Sequence, residues 1–89
     1  MKLVFSPGAW DDYQLWQAGD RTVLVRLNSL IKEASRTPFT GMGKPESLQG
    51  NLKGWWSRRL TREHRLVYRV SGTGAAQSLE IAACRFHYD

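Results

Sequence analysis

Among its 89 residues the chain has one cysteine, two histidines, three prolines and no long apolar run, and each shortage removes a class of protein. Cys84 stands alone, so no intramolecular disulfide forms, which excludes the disulfide-stapled secreted scaffolds. Two histidines and one cysteine, none at ligand spacing, give no basis for a structural zinc site. No metal and no other cofactor is expected. No stretch approaches the ~20 apolar residues of a membrane span, and no charged n-region precedes an apolar h-region. Neither membrane insertion nor secretion is expected, and a reducing cytoplasm is the expected compartment. Gly41-Met42-Gly43-Lys44-Pro45 follows no strand and opens no helix, so it is not a phosphate-cradling loop. Repeats and separable linkers are missing too, and residues 1–89 read as one domain with a modest core.

What the chain has in excess is positive charge. Thirteen Lys and Arg against eight Asp and Glu give +5 and a pI near 9.9. That balance favours an anionic partner through long-range attraction and counterion release, and nucleic acid is the commonest such partner.

The pattern of apolar residues predicts an α+β domain. Met1 to Phe5 is a short apolar run that stops at Ser6-Pro7, where Ser6 can cap a helix and Pro7 suits its first position. Trp10, Tyr13 and Trp16 recur at helical spacing up to Gly19. Asp20 caps a second helix, in which Val23, Leu24, Leu27, Leu30 and Ile31 form an apolar stripe and Arg21, Arg26, Asn28 and Lys32 take the other face. Residues 35–51 read as a loop. Beyond it the period changes to two, predicting strands over 55–60, 63–70 and 79–86, the last pair joined by a flexible loop from Ser71 to Ala76. The expected architecture is an N-terminal strand and a helical hairpin packed on one face of a mainly antiparallel sheet.

A two-residue turn at Thr61-Arg62 would set Arg58 opposite Arg65 and Trp56 opposite Val67. Trp56, Arg58, Arg65 and Arg69 would then share the open face, with Trp55, His64, Leu66 and Tyr68 in the core. Two arginines directly opposite each other repel, and an anion between them relieves the repulsion. Arg58 and Arg65 are therefore the first site candidates, and Trp56 is the tryptophan expected to meet a base.

RNA is cleaved without metal when a base takes the proton of a ribose 2′-hydroxyl, cations stabilise the charge growing on phosphate, and an acid protonates the leaving 5′-oxygen. Glu46 in its loop, the arginines of the open face, and His87-Tyr88 near the carboxyl terminus supply each part. Every one also has a bland reading. A loop glutamate is usually solvated, a strand arginine usually pairs with a carboxylate such as Glu63 or Glu80, and a histidine near a chain end usually frays. His64 reads as a packed, hydrogen-bonded histidine and Cys84 as an inert small hydrophobe.

The joint pattern is more specific. Trp10-Asp11-Asp12-Tyr13, Thr37-Pro38-Phe39, Gly43-Lys44-Pro45-Glu46, Trp56-Ser57-Arg58-Arg59, Glu63-His64-Arg65-Leu66-Val67-Tyr68 and Ile81 to Tyr88, in this order and spacing, resemble the YoeB (Txe/YoeB) toxins of the RelE superfamily. The resemblance runs over essentially the whole chain. It implies a RelE-like, microbial-ribonuclease-like fold and an mRNA endonuclease acting in the ribosomal A site. It also implies neutralisation by a YefM-type antitoxin, operator DNA contacted through the toxin–antitoxin complex, and a homodimer as one state of the toxin. On matching positions, the general base falls on Glu46, the phosphate-stabilising arginine on Arg65 and the general acid on His87, with Tyr88 completing the site. Lys44, Arg58 and Arg59 match basic positions that face RNA. Gln49 stands where relatives commonly carry lysine, and Lys53 is a candidate to compensate. Asp89 extends the chain past the usual terminal His-Tyr, and the 71–77 hairpin is longer than usual. A catalytically inactive RNA-binding or operon-regulating partner on the same fold is the alternative, and a free basic ribonuclease a third.

Overall fold

The computed structural model describes residues 1–86. Strand β1 (Lys2–Phe5) leads through helices α1 (Pro7–Ala18) and α2 (Arg21–Arg36) to β2 (Glu46–Ser47), β3 (Trp56–Arg59), β4 (Arg65–Ser71) and β5 (Ser78–Ala83). The sheet order is β1-β5-β4-β3-β2. β1 runs parallel to β5 and every other pair is antiparallel. No helix among the described residues is long and apolar enough to cross a membrane.

The helix boundaries follow from their caps. Ser6 accepts the Ala9 N–H, with Pro7 at the first helical position, and Asp20 accepts the N–H groups of Thr22 and Val23. Each cap satisfies backbone donors that have no partner inside the helix. α2 buries Leu27, Leu30, Ile31 and Ala34 against Leu66 and Tyr68 of β4 and Leu79 and Ile81 of β5. Each such Leu or Ile stabilises the fold by about 1.5–3 kcal/mol. Arg26, expected on the solvated face, instead donates to the carbonyls of Leu60 and Arg59 at 2.8 and 2.9 Å, pinning α2 to the end of β3.

The β3–β4 register differs from the expected one by a single residue. Trp56 pairs with Tyr68, Ser57 with Val67, Arg58 with Leu66 and Arg59 with Arg65. The turn is Thr61-Arg62-Glu63, closed by hydrogen bonds from the N–H groups of Leu60 and Thr61 to the His64 carbonyl. Thr61 Oγ1 accepts from the N–H groups of Glu63 and His64, and this local hydroxyl bonding selects the longer loop. A two-residue hairpin turn wants Gly or Asn at positions of positive φ, which Thr61-Arg62 does not provide. A one-residue slip moves every β3 side chain to the other face. Trp56 and Arg58 therefore face the helices, not the open side.

Two further boundaries differ. The expected loop 35–51 contains the last helical residues and the short edge strand β2. β5 ends at Ala83 instead of running on to Phe86, after a bulge that sets Val67 opposite Ala83 but Tyr68 opposite Ile81. Ser6 Oγ donates to the carbonyl of Ala82, the extra residue of the bulge. Past the strand, Asp12 accepts the Cys84 N–H at 3.1 Å and Trp16 Nε1 donates to the Cys84 carbonyl at 2.8 Å, so α1 draws the chain out of the sheet.

Candidate active site

Arg58 organises the loop that carries Lys44 and Glu46. Its guanidinium is fully buried, and all five N–H donors are engaged. Nε donates to the Tyr68 hydroxyl, Nη1 to Glu33 and the Met42 carbonyl, and Nη2 to the carbonyls of Thr37 and Thr40. Glu33 also accepts the Met42 N–H, and the Tyr68 hydroxyl donates to the Pro38 carbonyl. The Met42 N–H first, and Arg58 after it, hold the Glu33 carboxyl below its usual range. Burial pushes the Tyr68 hydroxyl up, keeping it a neutral donor. Arg58 is thus removed from the RNA-facing set: with every donor satisfied internally it has none left for phosphate. Trp56 is removed with it, since it packs on the core and against Phe39 with ring centroids 4.7 Å apart.

Gly43 approaches the core and β3 closely in this loop. At φ 85° it lends its carbonyl to the Arg59 N–H at 2.7 Å. A Cβ there would lie 3.0 Å from Leu30 Cδ2 and 3.2 Å from both Arg58 Cβ and the Arg59 carbonyl. The left-handed turn continues at Lys44, φ 51°, which is exposed, and the chain then enters β2.

The open face is built from the residues that the register leaves there. Glu46, Ser57, Val67 and Ala83 form one row across β2, β3, β4 and β5, and Arg59 lies opposite Arg65 in the neighbouring row. Glu46 and Val67 are two strand spacings apart, about 10 Å. The floor between them is the short side chain of Ser57, which leaves room above the sheet. Glu46 and Arg59 are exposed, and Arg65 is half-buried. Arg65 Nη1 donates to the carbonyls of Thr61, Arg62 and His64 at 3.0, 3.3 and 3.1 Å. Those carbonyls orient the guanidinium, while among the described residues Nε and Nη2 have no acceptor. The opposed arginine pair expected from sequence is present, with Arg59 in the place assigned to Arg58.

Two features escaped the sequence reading. Trp55, not Trp56, lies on the open side, with the Arg69 guanidinium 4.4 Å from its ring centroid, and Arg69 in turn pairs with Glu80 at 2.8 Å. The same register slip that turned Trp56 toward the core placed Trp55 there. His64 accepts the Phe86 N–H at Nδ1, which only tertiary structure reveals. Lys53 is exposed in the turn after the 3-10 segment Gly50–Leu52. His87 and Tyr88 lie outside the described residues. The chain is described up to Phe86, whose carbonyl accepts the Arg65 N–H at 2.8 Å.

Comparison with known proteins bears on this arrangement. A family model described as YoeB-like toxin of bacterial type II toxin-antitoxin system matches residues 5–88. The chain belongs to the YoeB family of toxins. It is 56% identical over 88 residues to Toxin YoeB of Escherichia coli strain K12, covering 99% of this chain and 100% of that one. A YoeB/ParE toxin from Agrobacterium tumefaciens superposes with a TM-score of 0.94 at 57% identity, over 99% of this chain and 100% of the other. YoeB of Staphylococcus aureus has been solved as a dimer, TM-score 0.87, and in a heterotetrameric complex with YefM, TM-score 0.86. Both are 40% identical to this chain and cover 99% of it and 98% of the other. The expected fold, two helices against one face of a mainly antiparallel sheet, is that of these YoeB-family toxins, and the protein is a toxin of a type II toxin–antitoxin system.

Proposed function

We propose that this toxin is a ribosome-dependent mRNA endoribonuclease that works without a metal. The carboxylate of Glu46 takes the proton of a ribose 2′-hydroxyl, the 2′-oxygen bonds to the adjacent phosphorus, and the bond from phosphorus to the 5′-oxygen breaks. His87 gives its proton to that leaving oxygen, and Tyr88 completes the site. The products are a 2′,3′-cyclic phosphate, or the 3′-phosphate formed when it hydrolyses, and a 5′-hydroxyl. Arg65, with Arg59 opposite, stabilises the charge that grows on the phosphate oxygens. Lys44 and Lys53 hold the flanking RNA backbone.

The observation that carries this reading is the shared face: the register sets Glu46, Arg59 and Arg65 on one side of the sheet, around the short side chain of Ser57. Arg65 supports it further, because its guanidinium is oriented in advance by three carbonyls and so loses little freedom when phosphate arrives. Arg59 and Arg65, opposed across β3 and β4, repel each other until an anion lies between them.

The family relationship supports the partners. S. aureus YoeB has been solved with YefM and as a dimer; by that kinship the reading includes neutralisation of this toxin by a YefM-type antitoxin, through which it reaches operator DNA, and a homodimer as one of its states. The ribosome and A-site mRNA are its targets, in the cytoplasm. Induced expression in a bacterial host tests the reading. Wild type arrests growth and truncates messages at ribosome-occupied positions, and Glu46→Ala or His87→Ala relieves both. Growth arrest that persists unchanged in both variants would remove the proposed chemistry.

A further inference from the structure

Phe86 holds a backbone conformation that a bulky side chain rarely adopts. Its φ is +60°, in the left-handed region, where residues other than Gly, Asn and Asp are uncommon. Such a conformation costs on the order of 1 kcal/mol and persists only where the surroundings enforce it. Two hydrogen bonds enforce it here, from adjacent positions of the chain that opens β4. The Phe86 N–H donates to His64 Nδ1 at 2.7 Å, and the Phe86 carbonyl accepts the Arg65 N–H at 2.8 Å. The second is a backbone bond that any residue at 65 would make. The first depends on the side chain of His64.

That side chain is itself held in place. The His64 ring meets Trp16 of α1 edge-on with centroids 4.9 Å apart, and lies 5.3 Å from the Phe86 ring at a tilt of 45°. Trp16 also donates to the Cys84 carbonyl, two residues before Phe86. Because Nδ1 accepts, the neutral imidazole carries its proton on Nε2. His64 is therefore a fixed acceptor, buttressed from α1, aimed at the last backbone donor before His87.

We propose that His64 is a positioning residue, which fixes the backbone at Phe86 and so sets the direction in which the chain departs toward His87. It touches no substrate. The proposal rests on the reading of His87 as the general acid and deepens it. A misplacement of about 1 Å at a reacting group costs roughly 100-fold in rate, so the latch is expected to matter at that scale.

The test compares His64→Leu, which keeps bulk but has no acceptor, with His64→Asn, whose amide oxygen takes nearly the place of Nδ1. Hydrogen exchange of the Phe86 amide reads the bond itself: protection in wild type and His64→Asn, and loss in His64→Leu, is expected. Cleavage of mRNA on ribosomes then reads its consequence. His64→Leu is expected to lower kcat about 100-fold with the ribosome concentration at half-maximal rate unchanged, and His64→Asn to restore most of it. In a His87→Ala background, His64→Leu is expected to cost nothing further, since it acts only through His87. A His64→Leu enzyme at full rate beside an impaired His87→Ala would overturn the proposal alone, as would equal losses in both backgrounds. A His87→Ala enzyme at wild-type rate would overturn the acid assignment and the proposal together.

Discussion

Arg58 and Tyr68 are hydrogen-bonded to each other at the centre of the molecule, guanidinium Nε to hydroxyl oxygen at 3.0 Å, and neither is exposed. From this pair the Thr37–Met42 segment hangs by its carbonyls, and Glu46 follows it into β2. The neighbouring Arg59 shares none of this and stands in solvent on the opposite face.

Two adjacent arginines should then separate cleanly on substitution. Arg58→Ala strands the Thr37, Thr40 and Met42 carbonyls and the Glu33 carboxylate, and is expected to destabilise the fold by about 3 kcal/mol or more. Arg58→Lys should recover little, because three ammonium donors on a flexible stem cannot reproduce the planar fork. Arg59→Ala is expected to stay within about 0.5 kcal/mol of wild type while slowing RNA cleavage. Urea unfolding of the three variants, beside their cleavage rates, checks both halves.

Acid should act on the same network. The Glu33 carboxyl is held below its ordinary value of 4.5 by the Met42 N–H and then by Arg58, so the unfolded chain binds its proton more readily than the folded one. The stability it contributes is present above pH 4.5 and is lost as pH falls through the lowered folded-state value. Glu80, lowered by the Ser71 hydroxyl and then by Arg69, has the same sign. Thermal unfolding from pH 7 down to pH 3 should show wild type above Glu33→Gln at neutral pH, with the two curves converging in acid.

Cys84 should be silent until the protein unfolds. Burial, with the Asp12 charge adding to it, pushes its thiol up to about 12, and its sulfur lies 3.6 Å from the Ala9 carbonyl inside the core. The thiolate is the reactive form, so almost none is present at pH 8. Labelling by a thiol reagent at that pH is expected to proceed at the rate of global unfolding and to accelerate with denaturant. Rapid labelling of the native protein would show that the α1–β5 packing opens locally.

The sequence carried the helices plainly, since Ser6-Pro7 and Asp20 cap where a reader of side-chain chemistry expects and Leu27, Leu30 and Ile31 repeat at helical spacing. It carried Glu46 and Arg65 through their motifs, and the register brings both onto one face. The β3 register was not legible, because it depends on which amides the Thr61 hydroxyl takes, and a slip of one residue exchanges Arg58 for Arg59 and Trp56 for Trp55. An Arg-Arg pair reads identically either way, and only the buried acceptors of the 37–42 loop decide which arginine turns inward. β2 was hidden because two residues carry no periodicity. The His64–Phe86 bond joins positions 22 apart, and nothing local announces it.

The most direct measurement is single-turnover cleavage of an mRNA held in the ribosomal A site, with the ends of both products identified. Wild type is predicted to leave a 5′-hydroxyl and a 2′,3′-cyclic phosphate or 3′-phosphate. Glu46→Ala is predicted to cleave about 100- to 10,000-fold more slowly. A 5′-phosphate product, or a Glu46→Ala enzyme as fast as wild type, would contradict the account.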